Sequence, residues 1–426
     1  MTTVVIGGGW SGLAAAITLC QQGESVQLFE SAKQLGGRAR NVQWQDKTVD
    51  NGQHLMIGAY RHMLEMMAVI GIDQKHIFDR QSIDLSIVDT IYPTLKLSGN
   101  HFLPWPLSLA WSLIKSAGLK GLLHVQRLQN NIPVLLATHD ISVKQWLLQN
   151  KQPDRLIKQL WEPLCLATLN TPIAEASAHV LARVIQDSLG QGKQAADLLI
   201  PKQALGDVFP KAAAEYLSQH DADIHLQTRV SDIVIEGNKV IGIKTSNGDF
   251  IAANNIIVAT AAQQSSQLLT EHIDIPAPQH FPIATVYLQY KNHCRLTKPM
   301  LGMTGSTSQW IFDRSQQHPG LMAIVISGPG KHETMTNDEL IACVSHEVHQ
   351  FFPHFPKQAE DALVIREKRA TFACTVNIEQ QRPTTKSKIS GLYLAGDYVN
   401  NGYPATLEGA ILNGKNAAQE ILLNLI

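Results

Sequence analysis

Apolar positions along the chain begin with a β-branched run, Val4-Val5-Ile6, which stops at a glycine cluster from Gly7 to Gly12. The Ala-rich stretch Leu13 to Gln22 predicts a helix, and Ser25 to Phe29 predicts a second strand. From about Asp73 to Leu199 the pattern is mainly helical, broken by prolines at 104, 106, 133, 153, 163 and 172. A hairpin-rich section follows, in which Ile233-Val234-Ile235 and Val240 to Lys244 flank the turn Gly237-Asn238, with a further turn at Asn247-Gly248. Asn255 to Ala259 reads as a buried strand, and strand-like runs recur at Ala284 to Tyr290, Gln309 to Phe312 and Leu321 to Ser327. The chain closes on a strand from Gly391 to Leu394, a glycine-rich loop, and a helix from about Leu407.

Nucleotide-type signals at both ends, with different material between them, imply a discontinuous α/β domain. Residues 1–75, 205–270 and 383–426 are expected to build it, with 76–204 and 271–382 forming a second, α+β substrate domain. The 426 residues suffice for two such units. Only 17% of them are charged against 44% hydrophobic, which excludes a disordered or coiled-coil chain. A net charge of −1 argues against nucleic acid as a partner, because phosphate neutralisation needs a clustered excess of cations. The five cysteines are scattered without a CxxC, so neither a disulfide framework nor a zinc ribbon is expected, and a reducing compartment fits. With no secretory signal and no apolar span of membrane length, the expected location is the cytoplasm, free or resting on the inner face of the cell membrane.

Gly7, Gly9 and Gly12 form G-x-G-x-x-G between a strand and a helix. Gly7 permits the tight turn, Gly9 lets the backbone approach a pyrophosphate, and Gly12 lets helix and strand pack closely. Glu30 ends the second strand, where its carboxylate can accept ribose hydroxyls and would repel a 2′-phosphate. Gly36-Gly37-Arg38 follows, a glycine pair from which a guanidinium reaches back to the same pyrophosphate, with Arg40 two residues on. At the far end Leu394-Ala395-Gly396-Asp397 places an acid where it could hold a ribityl chain. The helix beginning at Tyr403-Pro404-Ala405-Thr406-Leu407-Glu408-Gly409-Ala410 can aim free N–H groups at a flavin ring. A nicotinamide enzyme does not need this second site, whereas FAD does.

These residues resemble the FAD-dependent amine oxidase and carotenoid desaturase superfamily. A closer resemblance, spanning nearly the whole chain, is to the hydroxysqualene dehydroxylase family. It is carried by Asp50-Asn51-Gly52-Gln53-His54, Ala59-Tyr60, Leu160-Trp161-Glu162-Pro163-Leu164-Cys165, Leu169-Asn170-Thr171-Pro172, Gln309-Trp310-Ile311-Phe312-Asp313-Arg314, Glu367-Lys368-Arg369-Ala370-Thr371-Phe372 and the Tyr403–Ala410 segment. The resemblance implies a glutathione-reductase-like fold with non-covalently bound FAD and a long-chain isoprenoid substrate. It implies reductive removal of an allylic hydroxyl in squalene and hopanoid synthesis, alongside partner enzymes of that route. It also places Val230 near the adenine half, Gly52 near the isoalloxazine, and Thr406, Leu407 and Glu408 on the flavin and ribityl side. No Cys near Tyr403 offers a covalent flavin link, and Tyr403 lacks a second aromatic for an amine-binding cage. The rival readings are a carotenoid or squalene desaturase and a non-catalytic isoprenoid escort protein.

His54 is the first candidate for a proton donor, as imidazolium near the flavin. Glu162 is the second, given a pKa raised by an apolar wall. Asp313-Arg314 reads as a structural ion pair. His346-Glu347-Val348-His349 has its histidines three apart rather than the zincin four, so no metal site is expected. The segment Leu103-Pro104-Trp105-Pro106-Leu107, running through Trp111, Lys115 and Lys120 to Leu123, fits two alternatives. One is an amphipathic element in a membrane interface, with Trp105 and Trp111 as its anchors. The other is a core helix pair.

Overall fold

The computed structural model describes residues 2–99, 103–276 and 278–424. Its first layer is a parallel sheet in the order Asp223–His225, Ser25–Phe29, Thr2–Ile6, Asn255–Val258, Leu392–Leu394. The N-terminal strand is thus central, with Val5 registered between Leu28 and Ile257. A central parallel strand is covered on both faces, which is why Val4, Val5 and Ile6 carry no polar alternation. Helix Trp10–Cys20 packs against the last helix, Leu407–Leu423, so the two ends of the chain close one core.

The second sheet has seven strands: Asp361–Phe372, His280–Gln289, Leu321–Ser327, Trp310–Asp313, Met300–Thr304, Asp84–Asp89 and Leu95–Ser98. Alternation sorts its two faces. Tyr287, Trp310, Phe312, Ala323 and Val325 face the helices of the 107–189 region, whereas Val286, Leu288, Ile311, Ile324 and Ile326 pack toward helix Asn337–Phe351. A slip of one residue would exchange these sets, so the register is firmly specified. The architecture is α/β, a Rossmann-type layer joined to an α+β second part.

The mainly helical expectation for 73–199 fails at its start. Phe78–Gln81, Asp84–Asp89 and Leu95–Ser98 are strands. The last two pair with each other, but the strands that anchor them to the sheets, Leu198–Pro201 and Met300–Thr304, lie far along the chain. The expected Asp313–Arg314 ion pair is also replaced. Asp313 accepts from the Leu296 and Ser315 amides, while Arg314 donates to Pro201 O and Gln317.

Two buried charged groups fix how the C-terminal region docks. The Arg382 side chain is 1% exposed and donates to the carbonyls of Asp397, Tyr398, Val399 and Tyr403, as well as to Asn401 and Glu379. Its guanidinium also lies 4.7 Å from the Phe372 ring centre. Glu408, 3% exposed, accepts from the His62 and Met63 amides at 3.0 and 2.9 Å, capping helix Arg61–Val69 with a carboxylate. Burial outweighs these two bonds and pushes Glu408 up to about 7.

Arg382→Ala should leave several buried carbonyls unpaired, costing about 3–5 kcal/mol. Thermal unfolding should show a large loss for Ala and a smaller one for Lys, which keeps the charge but not the fork. Equal, small losses would mean the loop holds itself. For Glu408 the folded pKa lies above the unfolded one, so its contribution is greatest below the unfolded value and is lost as pH rises through about 7. Glu408→Gln cannot ionise. Its stability relative to the parent should therefore rise between about pH 5 and about pH 8, and a flat difference would contradict the buried-acid assignment.

Candidate active site

The glycine fingerprint builds a tight corner. Gly7 has φ +108°, and a Cβ on Gly12 would lie 1.9 Å from Gly7 O, so helix and strand meet at backbone distance. A second loop lies against the first: Gly36 N donates to Gly8 O at 2.9 Å, and a Cβ on Gly37 would sit 3.3 Å from the Gly9 Cα. Arg40 holds that second loop by donating to Gly37 O. Any side chain at Gly9 or Gly37 would intrude on the space between the two turns.

Glu30 stands at the rim of this corner. Its carboxylate accepts from Gly8 N and Ala32 N, both at 2.7 Å. Ser31 Oγ donates more weakly at 3.3 Å, and since a carboxylate offers roughly four acceptor sites, capacity remains for a ribose hydroxyl. Thr228 N donates to Glu30 O, which brings the start of strand Val230–Glu236, with Val230 buried, beside it.

Arg38 and Asp397 meet across the corner, Nη2 to Oδ1 at 2.7 Å, and Arg38 also donates to Ala370 O. The Gly396–Asp397 turn is fixed from two sides. Asn413 in the last helix donates to Gly396 O and Val399 O, and Arg382 takes Asp397 O. The 50–54 loop abuts the same place: Asn51 donates to Arg38 O, and Gln53 N to Thr285 Oγ1. Gly52 lies beside Thr285 and His54. Asp50 is buried and serves the loop, accepting from Leu205 N at 2.6 Å, while Tyr287 donates to its carbonyl.

The structure therefore gathers Gly7, Gly9, Gly12, Glu30, Gly37, Arg38, Gly52, His54 and Asp397 around one cradle, with Val230 at the Glu30 end. Thr406 caps the last helix, its hydroxyl accepting from Gly409 N, and Leu407 packs on the adjoining core. Glu408 turns away to the Arg61–Val69 helix, so its side chain is spent on packing the fold. Glu162 belongs to the helical layer, where its charged neighbours are Lys158, Asp154 and Lys144.

Burial acts oppositely on the two candidate acids. It pushes His54 below its ordinary value, disfavouring the imidazolium, while Asp50 and the contact of Nδ1 with Gly52 O at 2.5 Å act the other way. It pushes the Glu162 carboxyl up, toward retaining its proton. Tyr403 has unusual company: its hydroxyl donates to Asp187 at 3.0 Å, and the Arg183 guanidinium lies 4.7 Å from its ring centre.

Arg382 and Asn413 escape sequence reading. Arg382 belongs to no motif. Asn413 shows in the sequence only as a polar residue within the last helix, and its zero exposure is seen in the structure. Ser11, in the first turn of helix Trp10–Cys20, is a third. Its hydroxyl is buried without a partner. An orphaned hydroxyl beside a helix N-terminus, two facing glycines and a spare-capacity carboxylate fit the pyrophosphate and ribose of FAD.

The family described as flavin containing amine oxidoreductase matches residues 10–422. A hydroxysqualene dehydroxylase of Zymomonas mobilis is 27% identical over 98% of both chains. A 15-cis-phytoene desaturase of Glycine max is 22% identical over 99% of this chain and 79% of its own. An oxidoreductase from Methanosarcina mazei superposes with a TM-score of 0.74 at 16% identity, covering 98% of this chain and all of the other. With its FAD cradle assembled and the family pattern running through nearly its full length, the chain belongs to the flavin-containing amine oxidoreductases and is an FAD-dependent oxidoreductase.

Proposed function

We propose that this enzyme converts hydroxysqualene to squalene, within squalene and hopanoid synthesis, by reductive removal of an allylic hydroxyl. The observation that carries the reading is the setting of Tyr403. In an amine-binding cage that ring would present its face to a substrate cation, but here Arg183 already covers a face and Asp187 holds the hydroxyl. With Arg183 on the ring and Asp187 beside it, a further cation would gain little at that place, which suits an uncharged substrate. Likeness to a hydroxysqualene dehydroxylase along 98% of both chains supports the choice of isoprenoid.

Reduced FAD, when bound, supplies the hydride that replaces the hydroxyl. The protein's own share is to hold that cofactor, exclude water and deliver a proton to the departing oxygen. We assign cofactor binding to Gly7, Gly9, Gly12, Glu30, Gly37, Arg38, Gly52, Val230, Asp397, Thr406 and Leu407. His54 lies nearest the cradle. With Nδ1 committed to Gly52 O, Nε2 is the atom left to carry a proton. Glu162 is the alternative, since burial favours its protonated form.

Anaerobic incubation of the reduced protein with hydroxysqualene should give squalene. Turnover only of squalene or phytoene to more unsaturated products would replace this reading with a desaturase. His54→Ala should slow hydroxysqualene turnover by about 10²–10⁴-fold if it is the donor, with flavin content unchanged. Because burial lowers its pKa, the parent rate should then fall as pH rises from the acid side through that lowered value. A parent-like rate in His54→Ala together with loss in Glu162→Gln moves the role to Glu162.

Glu30→Ala should weaken FAD binding at least about tenfold, because charged hydrogen bonds contribute ~1.5–3 kcal/mol. Glu30→Lys should weaken it further. Flavin titration of the apoprotein reads both, and unchanged affinity in the two variants would remove Glu30 as the ribose ligand.

A further inference from the structure

We infer that the outward face of helix Leu107–Leu136 is a docking surface for an anionic lipid bilayer. The helix is inside-out in its first half. Its buried seam carries serines: Ser112 Oγ accepts from Ser98 N, Ser116 Oγ donates to Lys96 O, and Ser108 is fully buried. The large apolar side chains point the other way, with Leu107 55%, Trp111 45%, Leu119 61% and Leu123 55% exposed. A helix whose only task was core packing would reverse this, since an exposed Leu forgoes ~1.5–3 kcal/mol of burial. The core-pair alternative accounts for Leu113, Ala117, Val125, Leu128, Ile132 and Leu135, not for the outward set.

The outward residues recur every four positions, in two rows. Gly118, at φ 76° and ψ 172°, breaks the helix between Leu107-Trp111-Lys115 and Leu119-Leu123-Arg127. The break is held in place by Arg155, whose Nη2 donates to Ser116 O and Pro93 O. Ile91, two residues before Pro93, is 79% exposed. Each row ends in a cation, and Lys115 Nζ lies 5.2 Å from the Trp111 ring centre. Long cationic side chains beside exposed Leu and Trp can reach a headgroup layer while the apolar groups enter the acyl boundary.

Charge selects the occupant. Between Asp89 and Asp140 the sequence has no Asp or Glu, while Lys96, Lys115, Lys120 and Arg127 fall inside that stretch. The whole chain is at −1, so this segment is a cationic island on a slightly acidic protein. A second copy docked through the same face would set these cations against their own images. An anionic membrane complements them instead. No helix among the described residues is long and apolar enough to cross a membrane, so the contact is a surface one. Trp105 has no part in it. Its ring packs over Gly99 and Ile83, where a Cβ on Gly99 would lie 2.6 Å away. The face exists whichever substrate the enzyme takes, and its test needs no substrate.

Flavin-loaded full-length protein should co-sediment with vesicles of phosphatidylcholine containing about a quarter phosphatidylglycerol, and more weakly with phosphatidylcholine alone. Added salt should weaken only the anionic case. Replacing Trp111, Leu119 and Leu123 together by Ser should lower partitioning to both vesicles at least roughly tenfold. Lys115→Gln, Lys120→Gln and Arg127→Gln together should lower it only to the anionic ones. Phe250→Ser, an exposed apolar change far along the chain, should bind like the parent, and all variants should keep the parent's flavin spectrum. Brominated lipid should quench part of the tryptophan fluorescence, and Trp111→Phe should remove that part while still binding. Parent protein that ignores both vesicles, or triple variants that bind as well as the parent, would overturn the proposal. So would a parent dimer that the Ser variant dissociates without any vesicle binding, since the face would then belong to a second copy.

Discussion

A guanidinium buried beneath a loop must be surrounded by oxygen, because an unpaired buried cation costs far more than its packing returns. The segment from Asp397 to Tyr403 satisfies Arg382 by turning four of its carbonyls toward one side chain. The same turn leaves the Asp397 carboxylate pointing at Arg38, and Asn413 locks the preceding glycine from the last helix. Much else depends on this arrangement. The cradle joins the start of the chain to its end, and its charged pair can face one ligand only while that loop keeps its shape. One buried charge therefore positions the charged pair of the cradle.

The first layer was legible because its signals are local. A β-branched run, a glycine corner and an Ala-rich helix specify one another over about twenty residues. Hairpins announce themselves through their Gly-Asn and Asn-Gly turns in the same way. Strands at 78–98 were not legible, since each is short and partly polar, and Phe78–Gln81 and Asp84–Asp89 are anchored by residues far away. Arg382 was invisible for a related reason: its partners are main-chain carbonyls, which leave no trace in side-chain identity. For Glu408 the sequence shows only half: its place in a flavin-side motif suggests a ligand, while its carboxylate takes the amides opening the Arg61–Val69 helix. Trp105 and Trp111 look alike in sequence, and only packing over Gly99 separates them.

Family membership leaves the substrate open, because the cradle serves any reaction in which FAD exchanges hydride. Discrimination has to come from the far side of the cofactor site. The pairing of Tyr403 with Arg183 and Asp187 turns an aromatic surface into a compensated ion cluster. Such a cluster gains little from a further cation and excludes nothing apolar. The amine-oxidising frame and an uncharged substrate are compatible on that basis.

Desolvation then decides which acids such a site can use. Removing water penalises the charged form of every group, so it makes His54 a poorer holder of a proton and Glu162 a better one. A donor at His54 must recover its proton against this bias, and a nearby negative charge is the natural means. Asp50 leans on His54 in that sense, while Arg38 leans the other way. The Arg38 charge is in turn largely met by Asp397 at 2.7 Å. The guanidinium that closes the cradle thus also bears on the imidazole and disfavours its charged form. Binding geometry and acid strength are coupled through a single guanidinium.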